Sequence, residues 1–522
     1  MPVFSFLLYT LIFVLIYILT SPLWRKFQKH PPCPFLAAPI IGHLYILKPP
    51  ITQTFANLTV RFGPVLSLRF GSLPVLMISS PSAAEECLTK SDLAFCNRPS
   101  GFLAGKYLGY GYIGLTWAPY GPHWRNLRRI SAVEILSSHR LQLLAGIRAD
   151  EVRMLIRRLI SAAADGDRAV EMKPAMFDLT TNVMTRMIFG KRYYGIEGEE
   201  EAKRFREIVA GTFRLFNEIC IGDMVPYLRW LDWRKEERFK RFKEEREILM
   251  RELIEEQRRN MKEISDEGEG EKKDRRPLIQ ALLKLQESEP EYYKDEIILG
   301  IMLFWESISS FTDEMDLLIG GSDTSAGTME WALALLLNHP EVLQKAQLEI
   351  DTHIGNERLL EESDLCHLPY LRCIITETLR MYPAAPNLIP HESSEDCVVG
   401  GYQVPRGTML QLNLWAIQND PKIWDYPSNF RPERFEGVDG HRIGFKMMPF
   451  GAGRRSCPGE GLAIKVVGLT IGSLIQCFEW DRVDGKVLDM AMAPGFNMHR
   501  AEPLRAILQP RPAMMKQLSQ MS

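Results

Sequence analysis

A single cysteine lies in a loop of glycines and prolines near the C-terminal end of the sequence. The loop runs from Pro449 to Gly459, places Cys457 close behind two arginines and precedes an apolar, helix-like run over 462–478. Glycines let a backbone approach a flat group closely and adopt positive φ without a steric penalty. Backbone N–H groups and nearby cations favour the thiolate form of cysteine. These features predict that Cys457 is a deprotonated metal ligand.

The kind of metal centre follows from the ligands that the loop lacks. Structural zinc sites use four nitrogen or sulfur ligands, and Cys457 has no second metal-binding residue close to it in the sequence. A haem brings four nitrogens of its own and needs one axial sulfur, so the loop favours haem over zinc. The alternative is that Cys457 is a buried cysteine in a turn before a core helix, which is the default interpretation of a lone cysteine. The long motif around Cys457 makes this alternative weaker than the metal-ligand interpretation.

A second stretch that could do chemistry runs from Gly320 to Thr324 and continues as an apolar helix to Leu337. Glycines inside a helix cost about 1 kcal/mol each relative to alanine, and they leave open space beside the helix backbone. A hydroxyl beside a carboxylate, as in Asp323 and Thr324, can order water and deliver protons. The alternative is a weakened helix in which both residues are local caps. Cys457 in the same chain favours the chemical interpretation.

The cysteine loop matches the pattern F-x-x-G-x-R-x-C-x-G at every fixed position, which are Phe450, Gly453, Arg455, Cys457 and Gly459. On these residues the chain resembles the cytochrome P-450 family of haem-thiolate monooxygenases, and the resemblance covers nearly the whole chain. It implies a mainly α-helical fold with a small β part and haem b as the cofactor. Phe450 and Arg455 are then cofactor-binding residues, and Cys457 is the axial ligand of the iron.

The resemblance implies roles for residues outside the loop. Trp124 and Arg128 are four residues apart and so share one helical face, and both carry donors suited to a carboxylate. In the family this W-x-x-x-R pair binds a haem propionate, and His391 stands where relatives place a second propionate donor. The family's A/G-G-x-D/E-T element, here with Asp323 and Thr324, assists cleavage of the O–O bond.

Three further residues are expected to form a structural lock. Glu377 and Arg380 have the E-x-x-R spacing that puts both side chains on one helical face, and Arg434 follows in a P-E-R-F stretch. In the family such residues form a buried ionic triad behind the haem-binding loop. Buried ion pairs rarely add net stability but can fix geometry, so we expect this triad to position the loop.

The first 24 residues are predicted to anchor the chain in a membrane. Residues 3–19 are almost uninterruptedly apolar and carry no charge, and with their flanks they are long enough to span a bilayer. The basic and proline-rich segment 25–50 follows, which keeps that side cytoplasmic. A cleaved signal peptide would need a positive charge before the apolar run and a small-residue cleavage site after it. We therefore predict a single-pass anchor in the endoplasmic reticulum membrane and a cytosolic haem-thiolate domain over 51–522.

The composition is that of one large globular domain. Apolar residues make up 46% and charged residues 25% of the 522 residues, which is ordinary for a globular protein. The net charge of −2 gives no sign of a nucleic-acid partner. The nine cysteines are odd in number and scattered, which predicts a reducing compartment.

The segment 304–316 departs from the pattern of related sequences. It puts several acidic residues between two apolar runs where relatives pass directly from one to the other, so about twelve residues are extra, or roughly three helical turns. A buried helix should not carry such charges without partners. The segment is interpreted either as a loop insertion or as retained non-coding sequence in the gene model. A spliced transcript that lacks these codons would identify it as an artefact.

The implied reaction inserts one oxygen atom from O2 into an aromatic plant specialised metabolite. Residues 323–331 with 335–340 are similar to plant enzymes of the isoflavone 2′-hydroxylase and lignan-oxidising group. Electrons are expected from NADPH through a separate NADPH-cytochrome reductase, because the chain has no flavin or nicotinamide module. One alternative is a haem-thiolate isomerase or dehydratase that uses no O2, which the intact Asp323–Thr324 pair disfavours. Another is a haem protein impaired by the 304–316 segment.

Overall fold

The structure, a computed structural model, describes residue 9 and residues 29–164, 169–195, 200–216, 220–266, 276–295, 297–298, 317–438, 443–495 and 497–521. Helices dominate these ranges. The α-helices are α1 (Ile51–Phe62), α2 (Pro81–Glu85), α3 (Leu103–Tyr107), α4 (Pro122–Ile130), α5 (Ser138–Leu143), α6 (Ala145–Ala164), α7 (Met172–Phe189), α8 (Glu200–Phe216), α9 (Ile221–Met224), α10 (Trp233–Asp266), α11 (Leu278–Ser288), α12 (Leu317–Asn338), α13 (Pro340–His353), α14 (Pro369–Met381), α15 (Leu414–Gln418), α16 (Glu460–Cys477) and α17 (Met515–Ser519).

Three small sheets complete the fold, as the mainly α prediction expects. The strands are β1 (Val65–Phe70), β2 (Leu73–Ile78), β3 (Val170–Glu171), β4 (His391–Glu392), β5 (Cys397–Val399), β6 (Tyr402–Val404), β7 (Met409–Leu412), β8 (Phe478–Arg482) and β9 (Arg505–Pro510). The largest sheet has the order β1-β2-β7-β4, in which only the β2–β7 pair is parallel. The other two have the orders β3-β9-β8 and β5-β6. The large sheet places His391 on its edge strand.

Helices α12 and α16 form the centre of the core. Helix α16 is apolar on all sides, and a helix of that kind is stable only when it is buried. Within the described ranges it alone is long and apolar enough to cross a bilayer, but most of it lies inside the fold, so it is a core helix. A Cβ atom added at Gly472 would lie 3.0 Å from the side chain of Leu371. The glycine therefore lets α16 pack closely on α14.

Prolines set the ends of the helices around the site. Helix α12 ends at Asn338, and His339 leaves the helical conformation (φ −130°, ψ 72°) before Pro340 begins α13. A proline disfavours the helical conformation of the residue before it but fits the first turn of a helix. The proline thus separates α12 from α13 by a single residue.

The predicted N-terminal elements are only partly described. The predicted anchor over 1–24 lies outside the described residues, apart from Tyr9, and so does the 304–316 segment. The later part of the predicted linker contacts the domain. His43 is buried, and its Nδ1 accepts a hydrogen bond from the Arg69 N–H at 2.8 Å. Gly42 has φ +62°, and a Cβ there would meet the Arg69 carbonyl oxygen at 2.2 Å, so a glycine is required for this close approach.

All nine cysteines lie in the described ranges, and none forms a disulfide. Cys457 is therefore available as a ligand, and the reducing compartment stays a prediction.

A buried carboxyl group joins two short surface helices. The Leu103 N–H in α3 donates to Asp223 Oδ1 in α9 at 3.0 Å, and Arg229 lies 3.5 Å from the same oxygen. Burial raises the pKa of Asp223 to about 7, although the hydrogen bond from Leu103 and the charge of Arg229 act in the opposite direction. The contact between the two helices therefore contains a group that titrates near neutral pH.

We expect Asp223→Asn to stabilise the protein more as the pH rises from about 4 to about 7. The carboxyl of the unfolded chain loses its proton near pH ~3.9, whereas the folded one keeps it to about pH 7. Stability from this raised pKa is present at low pH and is lost as the pH rises. Asparagine keeps an acceptor for Leu103 and carries no charge.

Midpoints of thermal unfolding at several pH values between about 5 and 8 test this. The advantage of Asp223→Asn over the unchanged protein should grow by a few degrees and level off above about pH 7. The exposed Asp425→Asn is the control and should give no such trend. A pH-independent difference for Asp223→Asn would contradict the assignment.

Candidate haem site

One large cavity lies between the cysteine loop and the N-terminal half of α12. Its wall combines apolar side chains with a thiol, hydroxyls and cations. It brings together seven of the eight predicted cofactor-binding and catalytic residues, namely Trp124, Arg128, Thr324, His391, Phe450, Arg455 and Cys457. Asp323 does not line it. The lock residues Glu377, Arg380 and Arg434 lie behind the wall.

The cysteine loop holds Cys457 against the cavity. The Cys457 N–H donates to the Phe450 carbonyl oxygen at 2.8 Å, which closes the loop. Gly453 has φ +72°, and a Cβ there would meet the Leu88 carbonyl oxygen at 2.6 Å. Only glycine fits this position, which is the physical reason for its place in the motif. The loop thereby presents the sulfur in a fixed orientation.

The Cys457 side chain is exposed although it lies deep in the protein, because its surface opens on the cavity. Burial raises the pKa of the Cys457 thiol, and the Gly459 N–H and the Arg128 guanidinium act in the opposite direction. The predicted stabilisation of the thiolate by amides and a cation is therefore present at the sulfur, but burial outweighs it.

Two arginines line the cavity with N–H donors that are only partly used within the described ranges. Within the described ranges Arg128 makes a single long hydrogen bond, to Ser456 Oγ at 3.4 Å. Arg98 donates through Nη1 to the carbonyls of Ile389 and Pro390 at 2.9 and 2.8 Å, and its buried Nε has no hydrogen-bond partner in the described part of the chain. Burial lowers the pKa of both groups. A buried cation of this kind is stable only with an anionic partner.

Arg98 was missed by the sequence analysis. Its partners lie about 290 residues further along the chain, and no local spacing connects it with them. Because it stands in an irregular segment before α3, neither helical nor strand periodicity indicates which way it points.

Trp124 and Arg455 already have partners inside the protein. The Trp124 indole N–H donates to the Leu115 carbonyl oxygen at 2.8 Å, and the Arg455 guanidinium lies 4.5 Å above the Trp124 ring. Arg455 spreads its donors over four backbone carbonyls, those of Cys96, Leu115, Thr116 and Ala118. Both residues therefore hold residues 115–118 against the cysteine loop, and their contact with a propionate stays a prediction.

His391 faces the cavity from the edge of the large sheet. Its Nδ1 lies 2.7 Å from the Phe95 carbonyl oxygen, so Nδ1 carries a proton and donates it to this bond. Burial lowers the pKa of His391, and the neighbouring Arg98 adds to the effect. The neutral ring then presents Nε2 without a proton, and donation from His391 to a propionate stays a prediction.

The catalytic pair on α12 is divided between two environments. Thr324 lines the cavity, whereas Asp323 is buried beside it and turned toward the C-terminal segment. Asp323 Oδ2 accepts a hydrogen bond from Asn497 Nδ2 at 3.0 Å and pairs with His499 Nε2 at 2.7 Å. Burial opposes ionisation, but the charge and hydrogen bond of His499, together with Lys173 and Asn497, outweigh it and lower the pKa of Asp323. No local pattern in the sequence indicates Asn497 or His499, because they lie about 170 residues from Asp323.

The three lock residues are in contact behind the cysteine loop. Glu377 and Arg380 have no exposed side-chain surface and share two hydrogen bonds, at 2.7 and 2.9 Å. Arg434 Nε lies 3.1 Å from Glu377 Oε1. Arg380 also donates to the carbonyls of Gln418 and Pro427. The contacts tie α14 to the segment that leads into the cysteine loop.

The residues of the cavity fit a haem. A haem is a flat apolar ring with two carboxylates at one edge and an iron that needs an axial ligand. The cavity offers an open cysteine at its base, apolar side chains from α7 and α16, and two arginines whose donors are only partly used. Cys457 would hold the iron, and Arg98 and Arg128 would pair with the carboxylates.

Comparisons with known proteins agree with this interpretation. The family model described as Cytochrome P450 matches residues 31–504. The chain is 46% identical to Cytochrome P450 81Q32 of Catharanthus roseus and 42% identical to Isoflavone 2′-hydroxylase of Medicago truncatula, with 99% of each chain covered in both cases. It is 42% identical to (+)-piperitol/(+)-sesamin synthase CYP81Q2 of Sesamum radiatum, over 95% of this chain and 93% of that one.

A solved structure shares the fold. A zebra fish cytochrome P450 bound to abiraterone superimposes with a TM-score of 0.72 at 24% identity, covering 89% of this chain and all of the other. The predicted family, haem cofactor and monooxygenase class are thus confirmed. From the cysteine loop, the cavity above it and the match over 31–504, the chain belongs to the cytochrome P450 family and is a haem-thiolate monooxygenase.

Proposed function

We propose that the protein hydroxylates or otherwise oxidises an aromatic plant metabolite of the isoflavone, flavonoid or lignan class, with electrons from NADPH through a separate reductase. The observation that carries the proposal is its likeness to relatives named for isoflavone hydroxylation and sesamin formation, over nearly the full length of each. The wall of the cavity supports it, because the lining residues Val183, Met184, Leu388 and Ile389 are apolar and suit a flat aromatic ring.

The residues of the chain have distinct roles in this proposal. A bound haem, held by Cys457, would supply the activation of dioxygen, and a thiolate ligand would favour O–O cleavage. The Thr324 hydroxyl orders water at the cavity wall and passes protons toward the reacting oxygen. Asp323, ionised and held by His499, orients that proton path from behind the wall. The apolar side chains position the ring and exclude other water.

The experiment that tests the function uses the purified full chain loaded with haem and mixed with a plant cytochrome reductase. A carbon monoxide difference spectrum of the reduced protein first checks the haem-thiolate centre. NADPH consumption and product formation are then measured with isoflavones, flavonoids and lignans under ¹⁸O2. Incorporation of one labelled atom supports the proposal. Turnover without NADPH supports an isomerase instead, and an intact spectrum without turnover of any compound supports a protein impaired at residues 304–316.

Thr324→Val is expected to uncouple NADPH consumption from product formation. Valine keeps the shape of threonine but removes the hydroxyl from the cavity wall, and a positioned proton donor typically contributes 10²–10⁴-fold to such a step. Product per NADPH should fall about tenfold or more while peroxide release rises. Haem content should stay unchanged. The surface variant Thr352→Val is the control, and equal coupling in both variants would contradict the role of Thr324.

We further propose that the protein is held at the endoplasmic reticulum membrane by residues 1–24. Exposed aromatic side chains support contact of the domain with a membrane surface, because Tyr227, Trp230 and Trp233 are 87%, 67% and 61% exposed and such rings favour the membrane interface. The full chain should remain in membranes after alkaline carbonate washing, whereas a chain lacking residues 1–24 should be released. Release of the full chain by carbonate would refute the anchor.

A further inference from the structure

We propose that the side-chain oxygen of Asn497 accepts a hydrogen bond from a hydroxyl group of the substrate, so that the site selects aromatic compounds with a free phenol. This inference rests on the proposed function and narrows its substrate class. It concerns recognition of the substrate and needs no chemical step.

Asn497 is held at the cavity wall by a fixed backbone. It lines the cavity and is 3% exposed. The next residue is clamped on both sides, because the Met498 N–H donates to the Ala384 carbonyl at 2.9 Å and the Met498 carbonyl accepts from the Trp331 indole at 2.6 Å. Trp331 belongs to α12, so the segment that carries Asn497 cannot shift without disturbing the core.

Asp323 determines which way the Asn497 amide points. An ionised carboxylate can only accept hydrogen bonds, and the attraction of His499 lowers the pKa of Asp323. The Asn497 group that faces Asp323 Oδ2 at 3.0 Å must therefore be the NH2 group. The amide oxygen Oδ1 lies in the same plane as the NH2 group and points away from Asp323.

That oxygen is open to the cavity. Asn497 makes no other side-chain hydrogen bond in the described ranges, and Oδ1 is not among the buried side-chain atoms that lack a partner. It therefore retains accessible surface. Because Asn497 is otherwise buried and forms part of the cavity wall, this surface belongs to the cavity.

An oxygen fixed in this way distinguishes donors from acceptors. Thr328 lines the same cavity, and its hydroxyl donates to the Thr324 carbonyl at 2.8 Å. A hydroxyl can rotate, so it can serve a ligand either as a donor or as an acceptor. The Asn497 oxygen can only accept. A phenol supplies a proton, whereas a methyl ether leaves the oxygen unpaired, and a site with an unpaired buried polar group discriminates strongly against the ligand that causes it.

The test compares a hydroxylated isoflavone with its O-methyl ether. Dissociation constants are measured by equilibrium dialysis of the full haem-loaded chain without reductase, so that no turnover is involved. The unchanged protein should bind the phenol at least about tenfold more tightly than the ether. In Asn497→Leu, which keeps the volume and removes the acceptor, the two constants should become equal. Asn497→Ser, whose shorter side chain does not reach, should behave in the same way.

Thr328→Val is the matched control. It removes a polar group from the same wall but not the fixed acceptor, so the preference for the phenol should persist. Equal binding of phenol and ether by the unchanged protein, or a preference that survives in Asn497→Leu, would overturn the proposal. Each variant is judged on preparations that retain haem, and equal constants for the unchanged protein overturn the proposal whatever the variants do. Failure of the proposed oxidation would show instead as absent ¹⁸O incorporation with the binding preference intact.

Discussion

Replacing Cys457 by serine is expected to abolish the haem-thiolate signature of the reduced carbon monoxide complex and all NADPH-dependent oxidation. The loop gives the sulfur one fixed position, with the Cys457 N–H bonded to Phe450 and no room for a side chain at Gly453. A serine hydroxyl is a much weaker donor of electron density to iron than a thiolate. The effect should be complete, because within the described ranges no other cysteine lines the cavity.

Absorption spectra of the oxidised, reduced and carbon monoxide-treated protein measure this effect. Cys366→Ser provides a matched control, since Cys366 is exposed and does not line the cavity, and its spectra should be unchanged. A serine variant at 457 with the full thiolate spectrum would show that another residue binds the iron.

The second large effect is expected from Glu377→Ala. Arg380 has no exposed surface, and Glu377 supplies its two carboxylate bonds. Removing one partner leaves a buried charge unpaired, which costs about 3–5 kcal/mol. The variant should unfold at a distinctly lower temperature and should lose haem during purification, because the triad lies behind the cysteine loop.

The control for this prediction is a pair on the surface. Glu200 and Lys203 lie 3.9 Å apart with side chains 87% and 60% exposed, and exposed pairs contribute about 0–1 kcal/mol. Glu200→Ala should therefore leave the unfolding midpoint and the haem content almost unchanged. If both variants behaved alike, the lock would have no structural role.

The parts of the site that the sequence predicts are those whose partners are near in the chain. The loop around Cys457 is specified by glycines that tolerate positive φ, and the position of Trp124 one helical turn before Arg128 follows from helical spacing. Both conclusions need only local geometry. The same holds for Glu377 and Arg380, which lie three residues apart in α14.

The parts that the sequence does not predict depend on contacts between distant segments. Arg98 meets the carbonyls of Ile389 and Pro390, and Asp323 meets Asn497 and His499. No periodicity encodes such pairs, since each requires the sheet and the core helices to be in place first. For the same reason the sequence indicates that Trp124 and Arg455 carry donors but not that backbone carbonyls occupy them.

The four carbonyl bonds of Arg455 have a consequence for how this position tolerates change. A guanidinium is a planar fork with five donors, whereas an ammonium group is a compact point charge with three. Lysine at 455 would preserve the net charge and still leave carbonyls of residues 115–118 without a partner. The property that must be conserved at position 455 is thus the planar shape of the guanidinium, which joins residues 115–118 to the cysteine loop, and not the positive charge alone.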